Sequence, residues 1–192
     1  MTPGYRHGYR VAVWLVIASE ALLFAGLFAL YASYRSEHSA AFHAAAARDV
    51  AWIGGTNTMI LLTSSFAMAA AIHLARAGRR RAARRAAAIV LLLGSMFLAL
   101  KAYEWSLHLR DGIAPGSAGD VDARGAILFF TLYYFMTGLH ALHVIAGLVL
   151  VTWARRRLRR DDDPIVAELV GVYWHFVDLV WVFLWPLFYL VT

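Results

Sequence analysis

The chain has 192 residues, 61% of them hydrophobic and only 16% charged, with a formal net charge of +6. A soluble domain carries roughly a quarter charged residues, which argues against a soluble enzyme or a disordered regulator, whereas five membrane-crossing helices at about 20 apolar residues each would occupy roughly half the chain. The absence of cysteine excludes disulfides, thiolate metal clusters and a cysteine nucleophile, and the arginines fall in short blocks between apolar runs, a pattern that orients a membrane protein and does not point to nucleic acid.

In chain order the apolar runs cover about residues 11–34, 51–74, 86–109, 126–153 and 169–191. Each is long enough to cross a hydrocarbon core as a helix, and each is too long and too evenly apolar for a barrel strand. The first run exceeds the apolar core of a cleaved secretory signal and is expected to stay as an anchor. Short alanine-rich pieces at 40–47 and 82–88 interrupt the loops, the first expected as a short helix, and residues 111–124 read as an exposed loop rich in Gly, Pro and Asp. The fold class is therefore all-α: a polytopic five-transmembrane-helix bundle, one membrane domain over 1–192. Lys and Arg settle the orientation. Thirteen lie in the N-terminus and the 76–85 and 155–160 loops, against four at Arg35, Arg48, Arg110 and Arg124 on the other side. The positive-inside rule then places the N-terminus in the cytoplasm and the C-terminus in the periplasm.

Ionisable residues inside a span cost on the order of 3 kcal/mol at the bilayer centre, so they face protein, water or a partner. Glu20 and Asp178 each lie nine residues inside their spans, about 14 Å deep. His140 and His143 lie about 20 and 15 Å from the basic end of the fourth span, so two carboxylates and two imidazoles share one middle slab. The spacing predicts hydrogen bonds across helices among these four. His140 and His143 share a helix face, as do His175 with Asp178 and Lys101 with Glu104, all at i, i+3. Lys101 and Glu104 read as a local ion pair, with contact to a lipid headgroup or a partner subunit as the alternative. The histidines read as structural interhelical glue. Two axial imidazoles on one face cannot sandwich a haem, although a cross-helix pair such as His143 with His175 would allow one. Desolvation favours the neutral form of a carboxyl, which makes Glu20 a candidate proton reservoir. No chain of carboxylates runs from surface to surface, so a small proton-coupled transporter built on Glu20 and Asp178 is the weaker reading.

The motifs together resemble subunit III of the haem–copper terminal oxidases, the cytochrome c and quinol oxidase family. The resemblance runs in order through Trp14-Leu15-Val16-Ile17-Ala18-Ser19-Glu20, Asn57-Thr58, Leu61-Leu62-Thr63-Ser64-Ser65, Lys101-Ala102-Tyr103-Glu104-Trp105, Thr137-Gly138-Leu139-His140-Ala141-Leu142-His143-Val144 and Tyr173-Trp174-His175-Phe176-Val177-Asp178-Leu179-Val180-Trp181. It implies an accessory subunit that carries no haem, copper or other cofactor and performs no redox step itself. Haem and copper would reside in subunits I and II, and this chain would pack on subunit I in a bacterial inner membrane. It also implies bound phospholipid and support of proton uptake during oxygen reduction. Glu20 matches the family's carbodiimide-reactive membrane glutamate, and the matching histidines and Asp178 would be structural or proton-related. The longer form has two further N-terminal helices that make a lipid cleft, so this chain is similar to the short five-helix bacterial form. A five-helix relative associated with nitric oxide reductases and a haem b membrane anchor are the alternatives.

Overall fold

A computed structural model describes residues 3–119, 124–158 and 165–190, with side chains described from Gly8 onward. Arg159, Arg160, the three aspartates at 161–163 and the last two residues lie outside the described residues. Among the described residues six helices form: α1 (Pro3–Glu37), α2 (Ser39–Ala46), α3 (Ala51–Arg76), α4 (Arg80–Arg110), α5 (Arg124–Arg157) and α6 (Ile165–Tyr189). Five of them are long and apolar enough to cross a membrane; α2 is the exception, a short helix in the alanine-rich piece. The helices overrun the apolar runs by several residues at most ends, because the flanking arginines are good helix formers and need only reach water.

Between α4 and α5 the expected loop contains a small antiparallel hairpin, β1 (Ile113–Ala114) paired with β2 (Ser117–Ala118). It is not wholly exposed: Ile113 and Ala118 are buried, and the Tyr134 hydroxyl donates to the Ile113 carbonyl at 3.0 Å. The arginine side of the bundle turns more tightly. Helix α3 ends on Gly78 at φ 71°, and Arg79 N donates to Leu74 O at 2.9 Å. This six-to-one bond is the Schellman closure that glycine permits in the left-handed region, and it sets α4 antiparallel beside α3.

Enclosure differs sharply along the chain. In the most apolar window of α6, 56% of residues are buried, against 11% in α1. Helix α6 is thus the central staff, packed on α3 and α5, and α1 is an outlying helix. What fixes α1 is its second half. Phe24 and Tyr31 are buried, the Tyr31 hydroxyl donates to Leu187 O at 2.6 Å, and the Tyr31 ring meets Phe42 and Phe188 edge-on. Phe129 completes this aromatic nest at the end remote from the arginine blocks, hereafter the far end. Toward the arginine end α1 stands off, and a largely apolar cavity of about 510 Å³ opens between α1, α5 and α6, walled by Val13, Val16, Leu150, Trp153, Leu169 and Tyr173 among others.

At mid-height the bundle closes on one indole. Trp174 of α6 is fully buried, and a Cβ added to Gly94 of α4 or Gly147 of α5 would lie 2.8 Å from its ring. Glycine at both positions is what lets three helices approach around the ring.

Candidate functional site

Two polar centres lie inside the bundle. The first joins α1 to α5. His143 Nε2 stands 3.0 Å from Glu20 Oε2, and His143 Nδ1 stands 2.8 Å from the Leu139 carbonyl oxygen. A carbonyl oxygen only accepts, so Nδ1 carries a hydrogen and donates it. Nε2 and Oε2 are then joined by a single proton, held either by the carboxyl or by the imidazole. The Glu20 side chain is 28% exposed and that of His143 13%. This is the part of the bundle that α1 only partly covers. Tyr173, whose hydroxyl donates to the His143 carbonyl at 3.4 Å, also lines the cavity toward the arginine end. Phe24 packs edge-on against the His143 ring at 5.4 Å and closes the other side.

The second centre lies toward the far end and is closed on every side. Lys101 is 1% exposed and Glu104 0%. The Lys101 ammonium donates to Glu104 Oε2 at 3.0 Å, to the Tyr133 hydroxyl at 2.9 Å and to the Tyr189 hydroxyl at 2.7 Å. Its three hydrogens are thereby used. Tyr189 passes its own hydroxyl hydrogen to Glu104 Oε1 at 2.6 Å, so each carboxylate oxygen accepts one bond. The ammonium also lies over the Tyr133 ring at 4.5 Å and the Trp181 ring at 5.3 Å, a cation–π setting that offsets part of its desolvation. Beside this pair, His108 of α4 and Asp49 of the α2–α3 connection approach to 3.3 Å without hydrogen-bond alignment. Burial pushes the Asp49 carboxyl well above its ordinary value of 3.8; Lys101 opposes the rise and Glu104 adds to it.

That direction carries a sign. A carboxyl whose folded pKa is raised contributes fully to stability below its unfolded value and progressively less as pH rises toward the folded one. Asp49→Asn is therefore expected to flatten the fall in stability between mildly acidic and neutral pH, read as the unfolding temperature of the two proteins across that range.

The remaining residues picked out from the sequence are brought to the interior but not to either centre. His140 is fully buried between Phe97 and Trp181, with no hydrogen bond at either ring nitrogen. His175 Nδ1 bonds the Ser65 hydroxyl at 2.7 Å. Asp178 is buried beside Ser65, whose hydroxyl is directed to His175, and neither Asp178 oxygen meets hydrogen-bond geometry. Of the four residues in the middle slab, then, Glu20 and His143 are hydrogen-bonded to one another and His140 and Asp178 are not. No histidine bonds Asp178, and His175 relies on Ser65 instead. Asp178→Asn, which keeps the shape, is expected to leave the unfolding temperature within a few degrees of wild type.

Asp49, His108, Tyr133 and Tyr189 were not singled out from the sequence. His108 had a readable signal, standing four residues after Glu104 and seven after Lys101 on one helix face. Asp49 had none, because it sits in what reads as a polar loop. The cross-helix pair His143 and His175 is not free to bracket a haem. Both nitrogens of His143 are engaged, and His175 already uses one on α3. Among the described residues there is no group of three or more metal-ligating side chains.

Five helices long and apolar enough to cross a membrane, with a glutamate–histidine pair and a buried lysine–glutamate pair inside the bundle, define a multi-pass membrane protein. The chain matches the family model of cytochrome c oxidase subunit III over residues 1–192. It is 31% identical to cytochrome c oxidase subunit 3 of Synechocystis over 98% of this chain and 81% of that protein. It is 32% identical to the protein of that name from Thermostichus vulcanus, covering 96% of this chain and 88% of the relative. A heme-copper oxidase subunit I+III of Aeropyrum pernix is 30% identical over 95% of this chain and 22% of that much longer polypeptide. The chain belongs to the cytochrome c oxidase subunit III family, and as a subunit III of the haem–copper oxidases it is a multi-pass membrane protein and part of an oxidase complex. Neither a nitric oxide reductase companion nor a haem b anchor is favoured by these relatives.

Proposed function

We propose that this subunit performs no redox chemistry itself, packs on the haem–copper subunit I alongside subunit II, and sustains proton uptake during turnover. Haem and copper reside in those partners on this reading. The observation that carries it is the Glu20–His143 hydrogen bond: one proton shared by two titratable groups, on a helix face only partly covered by the rest of the chain. The Aeropyrum protein, whose name joins subunits I and III in one polypeptide, supports adjacency to subunit I. The arginine blocks support a cytoplasmic N-terminus in the bacterial inner membrane that we propose for the complex. The cavity beside α1 is large and apolar enough for acyl chains, which supports phospholipid as a further partner. The whole chain acts as one membrane domain.

Native purification followed by a visible spectrum and mass identification of partners tests the assembly. The expected result is a much larger haem- and copper-containing subunit in fixed ratio, and a lone stable monomer overturns the reading. Glu20→Ala tests the proton role. The complex is expected to assemble and to begin reducing oxygen at a rate close to wild type, since no redox ligand is touched, and then to lose activity faster over continued turnover. An unaltered time course would remove Glu20 from proton supply, and failure to assemble would make it architectural.

A further inference from the structure

The far-end centre holds more than an ion pair. Lys101, Glu104 and Tyr189 are fully satisfied once Tyr133 takes the third ammonium hydrogen, but the chain of hydrogen bonds does not stop cleanly at Tyr133. The Tyr133 oxygen accepts from Lys101, and its own hydrogen has only the Tyr189 oxygen in reach, at 3.5 Å. Next to the Tyr133 ring, with centroids 5.4 Å apart, stands His108, and 3.3 Å beyond its Nε2 is Asp49 Oδ1. Both side chains are buried, 3% exposed for His108 and 0% for Asp49, and neither has another hydrogen-bond partner. An acid and a base, both buried and 3.3 Å apart without hydrogen-bond alignment, are the parts of a proton-transfer pair. They are contributed by different elements, Asp49 by the α2–α3 connection and His108 by the last turn of α4.

We propose that Asp49 and His108 form a proton-exchange site at the far end of the bundle, separate from Glu20 and His143 and independent of the role assigned to them. Asp49 holds the proton as a carboxylic acid. In the transfer its O–H bond breaks and an N–H bond forms at His108 Nε2, leaving a carboxylate–imidazolium pair with no change in net charge. The proton enters and leaves through His108, the one of the two whose side chain keeps any exposure (3% against 0%), with water on that side of the membrane as source and sink. The groups facing the pair are Tyr31 from α1, Lys101 and Glu104 from α4, Tyr133 and Tyr134 from α5, Tyr189 from α6, and Arg48 and Asp111 from the connections. The fixed Lys101–Glu104 dipole supplies no free proton, so the exchangeable one belongs to Asp49.

Infrared spectroscopy of the assembled oxidase in nanodiscs tests this. At neutral pH the wild type is expected to show a protonated-carboxyl stretch that disappears in Asp49→Asn and moves in Asp49→Glu; an identical carboxyl region in all three overturns the proposal. On transfer to heavy water the Asp49 stretch is expected to shift, and a stretch that stays unexchanged means a sealed structural acid and sinks it. In His108→Gln the stretch is expected to remain while its exchange slows by about a hundredfold, the low end of what a positioned general base contributes. Exchange as fast as wild type removes His108 from the site. Asp49→Asn is isosteric and leaves Glu20 untouched, so these outcomes do not depend on whether Glu20 supplies protons.

Discussion

Lys101→Met is expected to destabilise this subunit by about 3–5 kcal/mol, the cost of leaving one member of a buried ion pair without the other. The size follows from enclosure. Glu104 is fully buried, and with Lys101 gone its Oε2 loses its donor, while both tyrosine hydroxyls lose the ammonium. Tyr189 still donates to Oε1, but one hydrogen bond from a neutral hydroxyl does not replace a cation in a low-dielectric interior. The double variant Lys101→Met with Glu104→Met is expected to be much milder than the single, because exchanging a whole buried pair for apolar side chains is often neutral. The two tyrosines keep some residual cost, which they reduce by pairing with each other across their present 3.5 Å. Thermal unfolding in detergent, with retention of the subunit through purification of the complex, measures both variants. A single variant no worse than the double would show that the charges do not depend on one another.

The same pair shows what the sequence could reveal. Lys101 and Glu104 three apart on an apolar helix point to each other without any structure, and the five spans follow from length and hydropathy alone. Spacing along one helix says nothing about which residue of another helix comes opposite. Tyr133 and Tyr189 are 56 positions apart and meet only because α5 and α6 pack antiparallel. In sequence they are two aromatic residues among many. Glu20 and His143 were assigned one depth from the helical rise, and equal depth is necessary for contact but not sufficient. Asp178 shares that depth and makes no hydrogen bond. Rotation about each helix axis decided the outcome, and rotation is set by packing of the whole bundle.

Asp49 illustrates a different limit. An aspartate two residues before a membrane helix reads as water-exposed. Its burial arises because α2 lies on α5 and the hairpin between α4 and α5 folds back over the same end; Arg48 donates to the Ala118 carbonyl at 2.9 Å and ties the two connections together. Two loops cover each other, and neither sequence alone carries that information.

Trp174→Ala is the second substitution with a large expected effect, about 3–5 kcal/mol. The indole nitrogen makes no hydrogen bond, so the loss is one of volume and contact alone. The ring fills the space that Gly94 and Gly147 leave between α4, α5 and α6, and three helix backbones held apart by it cannot simply collapse. Refilling the space distinguishes this from a general loss of hydrophobicity. Gly147→Leu alone is expected to be destabilising, since its first carbon already falls 2.8 Å from the ring and overpacking costs typically 1–3 kcal/mol. Combined with Trp174→Ala, the leucine occupies the emptied volume, and the pair is expected to lose less than the sum of the singles, a coupling that unfolding temperatures of the four proteins measure directly. Strict additivity would mean that the glycine and the indole do not share one cavity, and that α5 and α6 approach each other for some other reason.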